Sequence, residues 1–207
     1  MLAKIEQKKS RGRPQAFSRQ DVINDALQLF WTYGFHQVSV CDIAKKAGLS
    51  RTSFYNSFTS KEDLLRETLQ YYFSLSPNEA LTHLPEGTTI AHALENLIVQ
   101  VCTSHTSDPL KRGCFVMNCI NEITDEKNNL ARELKEGQQQ QHVLFEQLFK
   151  KAIVRGELPK TADSYLLANM LMIYLAGLST YSKTERNLDG LIKTSRAFLR
   201  QLGFAML

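Results

Sequence analysis

From Ser39 to Phe58 the chain reads Ser39-Val40-Cys41-Asp42-Ile43-Ala44-Lys45-Lys46-Ala47-Gly48-Leu49-Ser50, then Arg51-Thr52-Ser53-Phe54-Tyr55-Asn56-Ser57-Phe58. This stretch limits the fold more than any other. Ser39 followed by Asp42 is a helix-starting signature, in which a hydroxyl and a carboxylate satisfy the first free backbone amides reciprocally. Gly48 suits the left-handed residue that ends a helix, and Ser50 caps a new one only two residues later. Ile43 and Ala44 turn inward from the first segment; Phe54 and Phe58, four apart, share one face of the second. Helices joined by so tight a turn must cross steeply. That is the sequence form of a helix-turn-helix, whose second helix lies in the major groove of DNA.

Further helices support this pair. Ser18 with Asp21 predicts another capping box, and Val22, Ile23, Ala26, Leu27, Phe30 and Trp31 predict a helix from about residue 19 to Tyr33, ended by Gly34. Ser60 with Asp63 starts a fourth helix carrying Leu64, Leu65, Leu69 and Tyr72, which stops before Pro77. Beyond a linker from Ser76 to Gly87, helices are expected at about 88–105, 110–123, 126–155, 161–183 and 187–203. Gln138 to Gln141 reads as a solvated stretch of the longest one. Glycine and proline are sparse (10 and 5 of 207 residues), apolar residues make up 43%, and no segment alternates as a strand would. The expected fold is therefore all-α, with about nine helices. It divides into a basic arm at 1–17, a three-helix helix-turn-helix head at 18–65, and a helical domain for ligand sensing and dimerisation at 66–207.

The net charge of +4 is unevenly placed, since Lys4, Lys8, Lys9, Arg11 and Arg13 stand against only Glu6 at the start of the chain. The run suits a polyanion or a solvated terminus. No signal segment opens the chain, so a cytoplasmic protein is expected, with Cys41, Cys102, Cys114 and Cys119 as thiols. Ser164 to Ser182 carries no Asp, Glu, Lys or Arg, but Asn169 and several hydroxyls favour a buried bundle or dimer helix over a membrane span.

In the second helix of the pair, burial of Phe54 and Phe58 leaves Arg51, Thr52, Ser53, Tyr55 and Asn56 on the remaining surface, with Lys45, Lys46 and Lys61 flanking it. Arginine bonds phosphate or guanine, and hydroxyls meet phosphates or bases. A merely solvated hairpin face is the plainer reading of the same residues.

At this point the chain resembles the tetracycline-repressor (TetR) family of bacterial regulators, from about Ser18 to Leu65. The resemblance is carried by Ala26-Leu27-Gln28-Leu29-Phe30 with Tyr33-Gly34-Phe35, then the Val40 to Ser50 run, then Phe54-Tyr55-Asn56-Ser57-Phe58 and Ser60-Lys61-Glu62-Asp63-Leu64-Leu65. It implies a homodimeric, one-component repressor that binds a palindromic double-stranded DNA operator and is released by a small-molecule inducer. The residues matching Tyr55 and Lys61 would contact phosphate, and those matching Arg51, Thr52 and Ser53 would lie in or beside the major groove.

Lys111-Arg112-Gly113-Cys114-Phe115-Val116-Met117 resembles the glycine-cysteine start of the sixth helix in a subset of that family, some of which sense electrophiles or oxidants. A thiol at a helix start, beside Lys111 and Arg112, is acidified by free amides and cations. Packing competes with sensing at Cys114 and is favoured at Cys41, Cys102 and Cys119. The alternative is a non-covalent apolar or aromatic inducer in a pocket lined by Phe115, Met117, Met170, Met172, Tyr174 and Tyr181. Those types at helical spacing also serve as core. The scattered histidines offer no metal site, and no cofactor is expected. A cysteine-dependent enzyme is the remote rival, without a recognisable Cys–His pairing to support it. Dimerisation is suggested by the last two helices, where Ala168, Ala176, Gly177 and Ser179 allow close approach and Leu171, Leu175, Leu178, Leu191, Ile192, Phe198, Leu199 and Leu202 supply apolar area, with burial inside one subunit as the competing and coexisting use.

Overall fold

The computed structural model describes residues 18–125 and 128–204; the side chains of Asn78 and Glu79 are not described. The expected basic arm lies outside these residues. The described chain forms nine α-helices and one 3-10 turn, with no strand: α1 Arg19–Tyr33, α2 Val40–Lys46, α3 Arg51–Ser57, α4 Lys61–Ser74, the turn Pro77–Leu81, α5 Ile90–Ser107, α6 Phe115–Glu122, α7 Asn129–Val154, α8 Ser164–Tyr181 and α9 Leu188–Gln201.

The caps explain most of the helix starts. Ser39 and Asp42 form the reciprocal capping box, and the Ser50 hydroxyl accepts from the Ser53 amide. Ser60 accepts from the Asp63 amide, while the Asp63 carboxylate turns to Arg66 at 2.7 Å. The box expected at Ser18 is absent, because the Ser18 side chain makes no capping bond. That end is held from the side instead. Arg19 pairs with Glu67 at 2.5 Å, donates to the Ser57 carbonyl and lies over the Phe58 ring.

The largest departure is at α6, expected from about 110 but starting at Phe115. Lys111 (φ 55) and Gly113 (φ 69) are left-handed, and the Asp108 carboxylate accepts from the Leu110 and Arg112 amides. A carboxylate collecting successive amides makes a turn that a helix cannot pass through.

Two hydrophobic cores result. One unites α5, α7, α8 and α9 around Leu94, Ile98, Phe145, Phe149, Leu171 and Leu199. The other holds the head around Phe30, Ile43, Phe54, Phe58 and Leu64 and draws in Phe115 and Cys119 from α6, Ile123 just after it, and Leu130 and Leu134 from α7. The head and α6 therefore share one core, although Leu65 and Phe115 are far apart in sequence. No helix among the described residues is long and apolar enough to cross a membrane, and no cluster of His, Cys, Asp and Glu there could hold a metal ion.

Candidate nucleic-acid interface and the cavity behind it

Phe54 and Phe58 are almost wholly buried, at 0% and 2% exposure, with their rings 5.5 Å apart. Burying them fixes the roll of α3 and turns Arg51, Thr52, Tyr55 and Asn56 to solvent, with Ser53 half-buried beside the cap. Ser50 is exposed but occupied by capping. The Arg51 guanidinium lies 5.8 Å from the centre of the Tyr55 ring, and the neighbouring Tyr55 hydroxyl raises its pKa. Lys45 and Lys46 are exposed on α2, Lys46 lying 3.7 Å from Asp25.

Lys61 is placed differently from the other cations. Its ammonium donates to the Phe35 carbonyl at 2.9 Å and the Val38 carbonyl at 3.0 Å, and sits over the Phe35 ring. Two of its three protons therefore brace the α1–α2 loop. Cys41, for which packing was favoured, is exposed at the start of α2, whereas Cys102 and Cys119 are buried as expected. All four cysteines are free thiols. Burial pushes Cys119 up to about 12, which removes its nucleophilic form at neutral pH.

Behind the head lies a cavity of about 420 Å³ walled by α1, α4, α5, α6, α7 and α8. Cys114 opens into it, with its amide donating to the Ser179 hydroxyl and its sulfur 3.8 Å from the Tyr72 hydroxyl. Arg112, counted from the sequence as a cation acting on the thiol, is instead committed to Asp108 at 3.0 Å, to Gln28 at 2.7 Å and to the face of Trp31. Of the six lining residues expected, Met117 and Met172 line the cavity and the other four do not. Phe115 is buried beneath Trp31 and Tyr72, Tyr174 stacks on Phe198 and donates to Ser195, and Met170 and Tyr181 face outward. Sequence reasoning missed Gln138 and Gln141, which line the wall contributed by α7. It also missed Asn24, Gln28 and Trp31, through which the head's own α1 closes the cavity.

Glu122, the last residue of α6, ties that helix to the head. Its carboxylate accepts from the Phe35 amide at 2.8 Å and the His36 amide at 2.6 Å. Gly34 makes room for it, since a Cβ there would come within 3.0 Å of both carboxylate oxygens. At the other end of α6, Arg112 reaches Gln28 and Trp31 on α1.

A capped pair of short helices crossing over a shared core, backed by a helical body with its own cavity, defines a helix-turn-helix regulator. The family model described as bacterial regulatory proteins, tetR family, matches residues 22–68, and the Tetracyclin repressor-like C-terminal domain matches residues 91–198, more than half of the chain. The chain belongs to the TetR family. It is a DNA-binding transcriptional regulator rather than an enzyme. It is 29% identical over 195 residues to the HTH-type transcriptional repressor ComR of Escherichia coli (strain K12), covering 93% of this chain and 92% of that protein. It is 28% identical over 209 residues to the transcriptional regulator AcuR of Cereibacter sphaeroides, covering 95% and 92% of the two chains. Among solved structures, a cysteine-substituted TetR family regulator CifR, complexed with 26-base-pair double-strand operator DNA, matches with a TM-score of 0.79 and 26% identity, over 91% of this chain and 98% of that one.

Proposed function

We propose that this chain acts as a homodimeric repressor whose α3 enters the major groove of a palindromic operator, and that a small molecule in the cavity beside Cys114 releases it. The observation that carries the DNA-binding half is the exposed set Arg51, Thr52, Tyr55 and Asn56, presented on a helix whose opposite face is locked by Phe54 and Phe58. Arg51 and the hydroxyls of Thr52 and Ser53 read or abut base edges, Tyr55 bonds a phosphate oxygen, and Lys45 and Lys46 supply positive charge at the groove edge. Lys61 acts mainly through the loop it braces. Repression is supported by the likeness to ComR, and operator binding by the likeness to CifR in its DNA complex.

Pairing of two chains is supported by α8, where Leu166, Met170, Ile173 and Tyr181 stay exposed in one chain, Ile173 at 73%. Of the two uses open to them from the sequence, Leu171, Leu178, Leu191, Leu199 and Leu202 take the one inside the chain's own core.

Release is assigned to Cys114 because it is a half-exposed thiol at the start of α6, opening into the cavity. An unsaturated aldehyde adds there without a co-reactant. The sulfur bonds the β-carbon, the π pair moves to the α-carbon, and the thiol proton ends on that carbon. The added bulk displaces α6, and with it the Glu122 and Arg112 ties to the head. The experiment is operator binding by fluorescence anisotropy before and after such an aldehyde, for wild type and Cys114→Ser. Wild type leaves the DNA and the serine variant stays bound; release of both removes the thiol from the mechanism. A non-covalent inducer is the second reading, favoured by a cavity large enough for a drug-sized ligand, and it leaves Cys114→Ser responsive.

A further inference from the structure

One face of α7 carries Leu134, Gln138, Gln141, Phe145 and Leu148, at alternating spacings of four and three. Leu134, Phe145 and Leu148 are buried. At that spacing the two glutamines hold positions that packing would fill with leucine. They are half-buried, they line the cavity, and neither has a hydrogen-bond partner among the described residues. Their amides keep accessible surface on the cavity side, where water or a ligand's polar group can bond them. Sharing the lining are the apolar Leu27, Val101, Met117 and Leu175, with the exposed Asn24, Gln100 and Ser104.

Among the described residues the lining contains no Asp, Glu, Lys or Arg. Its one ionisable imidazole, His105, is held down to about 4 by burial and is neutral at physiological pH. The nearby Arg112 is already engaged by Asp108. A charged group inside would therefore meet no counter-charge.

We infer that the cavity selects an uncharged amphipathic molecule, an apolar body ending in a carbonyl, amide or hydroxyl, and that Gln138 and Gln141 are the specificity-determining residues that bond its polar end. This rests on the reading of the cavity as the inducer's site. Such an occupant would touch α1 of the head through Leu27 and Trp31 while bonded to α7, so it would lie across the junction of head and body.

The test is calorimetric titration of the full chain at pH 7.5, without DNA, with three probes of one shape: hydrocinnamide, hydrocinnamate and phenylpropylammonium. The amide is expected to bind roughly tenfold more tightly than either ion, because each ion loses hydration without gaining a partner. Gln138→Met with Gln141→Met keeps side-chain length and is expected to weaken the amide by about fivefold per glutamine lost while leaving the ions unchanged. Trp31 is the chain's only tryptophan, so its indole N–H resonance reports whether a bound probe occupies this cavity. Three results overturn the inference: an ion that binds as tightly as the amide, a double methionine variant that binds the amide undiminished, or no amide binding up to its solubility. If the amide binds as expected but operator affinity does not change, the inducer reading fails and the ligand class stands.

Discussion

Replacing Glu122 by alanine removes both hydrogen bonds that join α6 to the α1–α2 loop. Hydrogen bonds to a charged group are worth about 1.5–3 kcal/mol each when shielded. Phe35 is buried but His36 is exposed, so water replaces part of the second bond. A net loss of about 2–3 kcal/mol is expected from these two terms. Glu122→Gln keeps one acceptor oxygen and turns an NH2 toward the other amide, for a loss of about 1–2 kcal/mol. Urea unfolding reads both as a lowered midpoint at constant slope. Gly34→Ala sharpens the test, because its Cβ strikes the Glu122 carboxylate in addition to the strain at φ 86 and ψ 156. Glu122→Ala relieves the collision but not the strain, so Gly34→Ala should cost about 1 kcal/mol less in that background. Operator affinity should fall with Glu122→Ala, since the loop leading into α2 loses its anchor on the body. A Glu122→Ala protein within about 0.5 kcal/mol of wild type, the range of ordinary surface substitutions, or one whose operator affinity is unchanged, refutes the tie.

Burial holds His105 down to about 4 from an ordinary 6.5, opposed by Asp108 and assisted by Lys183 and Arg186. The unfolded chain takes up that proton near 6.5 and the folded chain only near 4, so the contribution is complete above 6.5 and is lost as pH falls between the two values. The full loss is on the order of 3 kcal/mol; urea unfolding across this range should show it in wild type and much less of it in His105→Gln. Gly113→Ala should lower the melting temperature and misplace Cys114, because φ is 69 and a Cβ would sit 2.6 Å from the Ser179 carbonyl oxygen. An unchanged melting temperature and unchanged thiol reactivity would contradict that close approach.

The head was legible because its signals are local. Each of Ser39, Ser50 and Ser60 does cap the helix it was expected to start, and the four-residue spacing of Phe54 and Phe58 fixes which face of α3 is left exposed. The site behind the head was less legible, for three physical reasons. The start of α6 depends on a side chain, Asp108, closing a turn from outside the helix. Apolar residues surround α8 on nearly all sides, so no stripe distinguishes Met172, in the cavity, from Met170 and Tyr181, on the surface. The role of Lys61 depends on carbonyls in a loop far from it in sequence. Gln138 and Gln141 were recoverable: read with Leu134 and Phe145, they fall on the inward stripe of α7, and only reading the four glutamines as one run hid it.

The central claim, that α3 reads an operator, is tested most directly by anisotropy titrations of the chain against the duplex upstream of its own gene and a scrambled duplex, across a salt series, for wild type and Arg51→Ala. Wild type is expected to prefer its upstream duplex by roughly a thousandfold. Arg51→Ala is expected to lose about tenfold or more in affinity with its melting temperature unchanged. Equal affinity for the two duplexes, or an Arg51→Ala protein that binds as wild type does at every salt concentration, would contradict it.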